Sequence, residues 1–187
     1  YFSPSVWAQC NQQNLDTLTY ESFEQGIPGS WDAPITSDGA SWQASAETIG
    51  YYENPGTGNW LFINDEEANQ VGEAVLLSAA YDLGGYEGLI KAEFDFLHQS
   101  YLDSGFVKLE IWDGEDWWLA FEEREDFSGH ISLEVSSFVN TTIQLRWTYS
   151  DEGAWSWGMG IDNFLLTVQK DICGDGVCGL EESPEFC

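Results

Sequence analysis

The sequence predicts an all-β protein, an antiparallel two-sheet jelly-roll β-sandwich. Two observations carry this: stretches in which apolar and polar residues alternate with period two, and turn-forming clusters that separate them at short, regular spacing. Helical periodicity is hard to find anywhere in the 187 residues. The chain is long enough for one such domain with its own core and too short for two comfortable ones.

The clearest strands are Ala92-Glu93-Phe94-Asp95-Phe96, Val107-Lys108-Leu109-Glu110-Ile111 and Thr142-Ile143-Gln144-Leu145-Arg146-Trp147. Each places its apolar residues on one face and its polar residues on the other, the mark of a half-buried strand. Further strands are expected at 18–23, 42–44, 60–63, 74–77, 117–121, 130–135 and 160–168. The turns between them include Gly26-Ile-Pro-Gly29, Glu53-Asn-Pro-Gly-Thr-Gly58, Gly84-Gly85, Asp103-Ser-Gly105 and Asp113-Gly114. So many strands suit a two-sheet jelly roll better than a seven-strand immunoglobulin sandwich. The organisation expected is an N-terminal segment 1–17, the sandwich 18–168, and a Cys-rich acidic tail 169–187. The tail is too short to bury a core and needs crosslinks or metal to hold it.

Charge narrows the partners. Against 33 Asp and Glu there are 5 Lys and Arg, a formal net charge of -28. Nucleic acid and anionic membrane surfaces are poor partners for a chain with so few cations to displace counterions. So much carboxylate repels itself in the folded state, and solubility in salt or bound divalent cations answers that repulsion. Cys10, Cys173, Cys178 and Cys187 sit at the two ends of the chain, a placement that reads as terminal disulfide stapling in an oxidising compartment. The three possible connectivities stay open. No apolar run approaches the roughly 20 residues of a membrane span, and the chain does not open on a positively charged leader. It reads as a mature or excised segment of a larger secreted chain.

The segment Tyr20-Glu-Ser-Phe-Glu-Gln-Gly-Ile-Pro-Gly-Ser-Trp31 resembles the opening strand and turn of the MAM-like jelly rolls of bacterial cleaved-adhesin and choice-of-anchor modules. Asn64-Asp65, residues 74–83, Leu109-Glu-Ile-Trp-Asp-Gly-Glu-Asp-Trp117, Leu145-Arg-Trp147 and Trp157-Gly-Met-Gly-Ile-Asp-Asn-Phe164 continue the pattern in the family's order. The tail separately resembles short Cys-Gly-Asp-Gly-x-Cys repeats of secreted proteins. The resemblance implies a non-catalytic, calcium-stabilised module for adhesion or carbohydrate binding, with a glycan or an extracellular protein as partner. A structural or processing domain of a larger secreted protease or glycosidase is the alternative. Carried over from the family, the calcium ligands are Glu24, Asn64, Asp65 and Asp162, with Glu21 a possible substitute for Glu24.

Asp162 stands out on its own account, since a carboxylate inside an apolar closing strand needs a cation or strong hydrogen bonds. In the tail, Asp171, Cys173, Asp175, Gly176 and Glu182 fall at positions 1, 3, 5, 6 and 12 of an EF-hand register. The cysteine at position 3 and the lack of flanking amphipathic helices count against that site. Ten Trp and eight Tyr supply rings suited to stacking on sugars. Those beside expected loops are Tyr101, Trp118, Trp155 and the pair Tyr51 and Tyr52. For catalysis there is no Gly-x-Ser-x-Gly elbow, no His-Glu-x-x-His and no phosphate-binding glycine loop. His98 and His130 read as strand residues, and no carboxylate pair singles itself out.

Overall fold

A computed structural model describes residues 15–34, 41–49, 53–65, 72–86, 88–101 and 104–169. Cys10, Cys173, Cys178, Cys187, Tyr51, Tyr52, Asp171, Asp175 and Glu182 lie outside the described residues. Every strand expected from the sequence is a strand: β1 (Leu15–Glu21), β2 (Gln43–Ser45), β3 (Trp60–Asn64), β4 (Glu73–Leu77), β6 (Ile90–Gln99), β7 (Phe106–Trp112), β8 (Trp117–Glu123), β9 (Phe127–Glu134), β10 (Thr142–Ser150) and β11 (Gly158–Gln169). A two-residue β5 (Tyr81–Asp82), too short to show a period, completes the set. Among the described residues no helix is long and apolar enough to cross a membrane.

Two antiparallel sheets face each other. One runs β2-β3-β11-β6-β9, with β1 added beside β3 on the same flank of β11; the other runs β4-β10-β7-β8, with β5 beside β4 on β10. The chain crosses between the sheets repeatedly, which gives the jelly-roll sandwich its closed core. Ile90, Ala92, Phe94 and Phe96 of β6 meet Val107, Leu109 and Ile111 of β7 and Ile143, Leu145 and Trp147 of β10 in that core. At its centre Trp31 stacks on Trp147 at 5.6 Å, and Phe164 meets Trp147 edge-on at 5.8 Å. Each such ring contributes about 1.5–3 kcal/mol through the area it removes from water.

β3 is buried on both faces, and its outward residues Trp60 and Phe62 form a second cluster with Ile49, Leu97 and Trp157. Gly160 of β11 lies flat beneath the Trp60 ring, where a side chain would collide with it. Farther along, β11 carries one extra residue between Asp162 and Leu165 relative to β6, a β-bulge at which Asn163 takes φ 51°. The bulge turns Asp162 and Asn163 toward the loop before β3.

Candidate functional site

Three chemical features emerge from this frame. The first surrounds Asp162, which is fully buried. Its Oδ2 accepts hydrogen bonds from Asn54 Nδ2 at 2.9 Å and Thr57 N at 3.1 Å, and its Oδ1 accepts one from Asn163 N at 2.7 Å. From the other side Glu24 accepts a hydrogen bond from Asn59 N at 3.3 Å through Oε1. The loop 53–59 is thus held between two carboxylates. Gly56 and Gly58 permit the approach, because a Cβ at Gly56 would strike the Asp162 carboxylate and one at Gly58 would strike that of Glu24. Burial raises the Asp162 carboxyl above the usual carboxylate range; the hydrogen bonds oppose that shift and Asp95 adds to it. The chain continues outward through Asn163, which donates to Asp95 at 2.8 Å and accepts from Tyr20 at 2.7 Å.

Asn64 and Asp65 are not part of this arrangement. In the sheet Asn64 sits opposite Gly158, four residues along β11 from Asp162, a separation of about 13 Å at the rise of a strand. The four residues taken from the family pattern therefore divide into Glu24 with Asp162 and Asn64 with Asp65. Among the described residues no three His, Cys, Asp or Glu side chains gather into a group that could hold a metal. Any cation at Glu24 and Asp162 must complete its shell with backbone and amide oxygens of the loop, which is a donor set calcium accepts.

The second feature is at the end of the sandwich where the β3–β4, β6–β7 and β10–β11 connections meet. Asp65, fully buried, accepts hydrogen bonds from the Tyr149 hydroxyl at 2.9 Å and Ser156 N at 3.1 Å, while its own N–H donates to Trp157 O at 2.9 Å. It pins the loop 151–157 from within. Asp151 reinforces the same loop by accepting from Gly153 N at 2.8 Å. Ser104 ties the neighbouring loop to it, its hydroxyl lying 2.5 Å from Tyr101 O and 3.1 Å from Trp155 O. Held between these anchors are three rings in mutual contact: Tyr101 and Trp155 at 4.5 Å, Trp155 and Trp157 at 4.7 Å, Tyr101 and Trp157 at 6.4 Å, all edge-to-face. Trp157 reaches back into the second apolar cluster, and Tyr101 is 42% exposed. Beneath them the amide oxygens of Asn64 and Gln99, on either side of Gly158, have no hydrogen-bond partner.

The third feature is the edge strand β8. Trp118 lies here, far from the other rings, its indole donating to Asp113 Oδ2 at 2.6 Å. Its neighbour Trp117 faces the outside of the five-stranded sheet, beside Trp112 at 5.5 Å and under the Arg146 guanidinium at 4.0 Å. The histidines flank these groups: His98 packs its ring edge-on against Tyr149 at 6.4 Å, and His130 meets Asp95, the carboxylate that Asn163 bonds. His98 is buried and donates to Glu125 O at 3.1 Å, with burial lowering its pKa; His130 lies 3.0 Å from Asp95 and 3.7 Å from Glu93 on the outer face of the six-stranded sheet.

Sequence reasoning named Tyr101 and Trp155 and missed Trp157, two residues on, which period two places on the same side of the chain as Trp155. It also missed Asn54 and Thr57, although the turn that carries them was recognised. Asn163 was visible only as the neighbour of Asp162.

No family model matches the chain, and no curated protein matches it. Solved structures of similar fold include cleaved adhesin and carbohydrate-binding domains. The K1 cleaved adhesin domain of Lys-gingipain from Porphyromonas gingivalis W83 aligns at TM-score 0.59 and 14% identity, covering 81% of this chain and 98% of that one. The K3 domain of the same protein aligns at 0.56 and 14%, covering 82% and 98%. TmCBM61, solved in complex with beta-1,4-galactotriose, aligns at 0.50 and 13%, covering 79% and 94%. At these identities the likeness is one of fold.

Proposed function

We propose that this is a non-catalytic, secreted glycan-binding domain, stabilised by calcium, that holds neutral saccharides on the cluster of Tyr101, Trp155 and Trp157. The observation that carries the reading is that cluster: three rings locked edge-to-face on two loops by buried hydrogen bonds, with Tyr101 open to solvent. Rings held in place lose little conformational freedom on binding, and their faces suit the C–H faces of sugars. A neutral ligand also avoids the field of a chain with net charge -28. The jelly-roll likeness to TmCBM61 and to the adhesin domains supports the same class.

The test is a glycan array followed by calorimetry on the best neutral oligosaccharide. Tyr101→Ala and Trp155→Ala are expected to weaken binding at least tenfold, about 1.4 kcal/mol, with circular dichroism unchanged, while Trp118→Ala binds as the parent does. Array-wide absence of binding, or equal affinity in the two loop variants, rejects the reading.

For calcium, Glu24 and Asp162 would supply the carboxylates and residues 53–59 the remaining oxygens. A bound cation would supply positive charge where two acids otherwise face one loop. What the chain contributes is a glycine-lined approach at Gly56 and Gly58 and a buried Asp162 whose charged form lacks a basic partner among the residues that contact it. Binding to the folded state alone raises stability by about 2.7 kcal/mol at a hundredfold excess over Kd. A melting temperature that rises with calcium in the parent and not in Asp162→Asn is the expected result; equal responses reject this site.

A further inference from the structure

The edge strand β8 carries information that glycan binding does not use. Among the described residues it pairs with β7 alone. The opposite edge of that sheet is covered: β4 exchanges hydrogen bonds with Asp32 through Leu77 and accepts the Trp42 indole N–H on Val75 O. The edge strand of the other sheet, β9, alternates exposed Ser128, His130, Ser132 and Glu134 with half-buried residues. β8 shows Trp118, Leu119 and Ala120 exposed in succession, at 55% and 59% for the first two. Edge strands are normally guarded by Lys, Pro, inward charge or a bulge. Residues 117–121 contain no Lys, Pro or charge, and the guards β8 does carry are one bulge at Ala120 and Glu123 opposite Val107 at its end.

Acids bracket the apolar run. Glu115 and Asp116 precede it, and Glu122, Glu123, Glu125 and Asp126 follow it. Arg124, the cation among them, is held by Glu122 at 2.8 Å and Glu152 at 3.2 Å. A second copy of the chain is a poor occupant, because antiparallel self-pairing centred on Leu119 sets Asp116 opposite Glu122 and Glu115 opposite Glu123. Like charges directly opposite each other destabilise a strand pair.

We propose that β8 docks an extended segment of a partner protein as an added antiparallel strand, one with an apolar centre and Lys or Arg on both flanks. The acidic brackets fix the spacing: Asp116 and Glu122 are six residues apart, about 20 Å along a strand, so the partner's basic residues are separated by a similar length. Main-chain hydrogen bonds supply the docking, and the charges supply the choice of partner.

The probe is a fluorescein-labelled peptide of alternating Val and Thr with two Lys at each end, read by anisotropy on the whole chain at constant calcium. Expected are saturable binding that weakens at least tenfold between low and high salt, and at least tenfold loss in three comparisons. These are a peptide N-methylated at alternate residues, a peptide with Glu flanks, and the Leu119→Ser variant, whose exposed position keeps the fold safe. Tyr101→Ala, which removes a ring from the glycan site, binds the peptide as the parent does. No binding, undiminished binding of the N-methylated peptide, or undiminished binding by Leu119→Ser overturns the proposal. So does concentration-dependent self-association that Leu119→Ser abolishes, which assigns the edge to a second copy.

Discussion

Replacing Tyr149 by Phe tests whether Asp65 serves as an internal pin for the ring-bearing loop. Both residues are fully buried. Burial, reinforced by the charge of Asp65, pushes the Tyr149 hydroxyl far above its usual range, so at any ordinary pH it stays protonated and donates to Asp65 Oδ2 at 2.9 Å. The substitution deletes one oxygen and keeps the ring against His98. The Ser156 N–H remains on the same carboxylate oxygen, so the cost is that of one hydrogen bond to a charged group, about 1.5–3 kcal/mol. For a chain of this size that lowers Tm by about 3–12 °C. Differential scanning calorimetry measures the shift, and urea unfolding checks that the m-value holds.

A functional consequence follows from position. Ser156 lies between Trp155 and Trp157, so a carboxylate with one donor fewer holds those rings less firmly. Glycan affinity is expected to fall several-fold, with the tryptophan emission shifted to the red. The calcium response is expected to persist, because Asp65 is remote from Glu24 and Asp162. A Tm loss below 1 °C refutes the pin, and loss of the calcium response refutes the separation of the two carboxylate pairs.

Three other substitutions probe the remaining features. The folded state keeps the Asp162 proton above the group's ordinary value of 3.8, so this group's stabilisation is complete below that value and is lost as pH rises through the folded one; in calcium-free buffer Asp162→Asn should flatten the fall in Tm with rising pH, and parallel curves would sink the assignment. Gly58→Ala meets both a φ of 79° and the Glu24 carboxylate, so it should cost more than about 1 kcal/mol and blunt the calcium response in the same melts; an unchanged melt and response would contradict the close approach. Gly160→Ala places a methyl 2.5 Å from Trp60 Cε3, an overpacking worth about 1–3 kcal/mol; combining it with Trp60→Phe should cost less than the sum of the two, and strict additivity would show that the contact is relieved elsewhere.

The sandwich was legible because β6, β7 and β10 each have a water-facing side, and alternation records that directly. β3 offered no such record: Trp60-Leu-Phe-Ile63 is apolar on both faces, and periodicity cannot tell a strand covered by a second cluster from any other apolar run. The candidate sites were legible residue by residue but not as groups. Glu24 and Asp162 meet through loop 53–59, and the bulge at Asn163 that turns Asp162 toward it follows from no local signal in the sequence. Asn64 ends β3 and Asp65 follows it, so their place at the opposite end from Asp162 depends on antiparallel register with β11. Trp118 and Trp155 look alike in sequence, each beside another Trp and a turn. Strand position separates them, one on an open edge and the other on a loop pinned by a buried carboxylate.

The distribution of cations explains why the outer face of the five-stranded sheet is left out of the binding surfaces despite its rings. Arg146 donates to Glu110 Oε2 from Nε at 2.8 Å and Nη2 at 2.7 Å, and Lys108 reaches the same oxygen at 3.6 Å. Partly exposed pairs of this kind add little to stability, about 0–1 kcal/mol each, but they occupy the groups involved. The guanidinium also covers a face of Trp117, so a sugar stacking there must first displace an arginine from both its ring and its carboxylate. Arg124 is engaged in the same way by Glu122, Glu152 and the ring of Phe106. Tyr101 and Trp155 instead pack against other rings, and Trp118 is held at its indole nitrogen by Asp113. Their exposed surfaces can be covered without breaking an ion pair, which is why the proposed binding surfaces are the loop end and the β8 edge and not the ring-bearing sheet face.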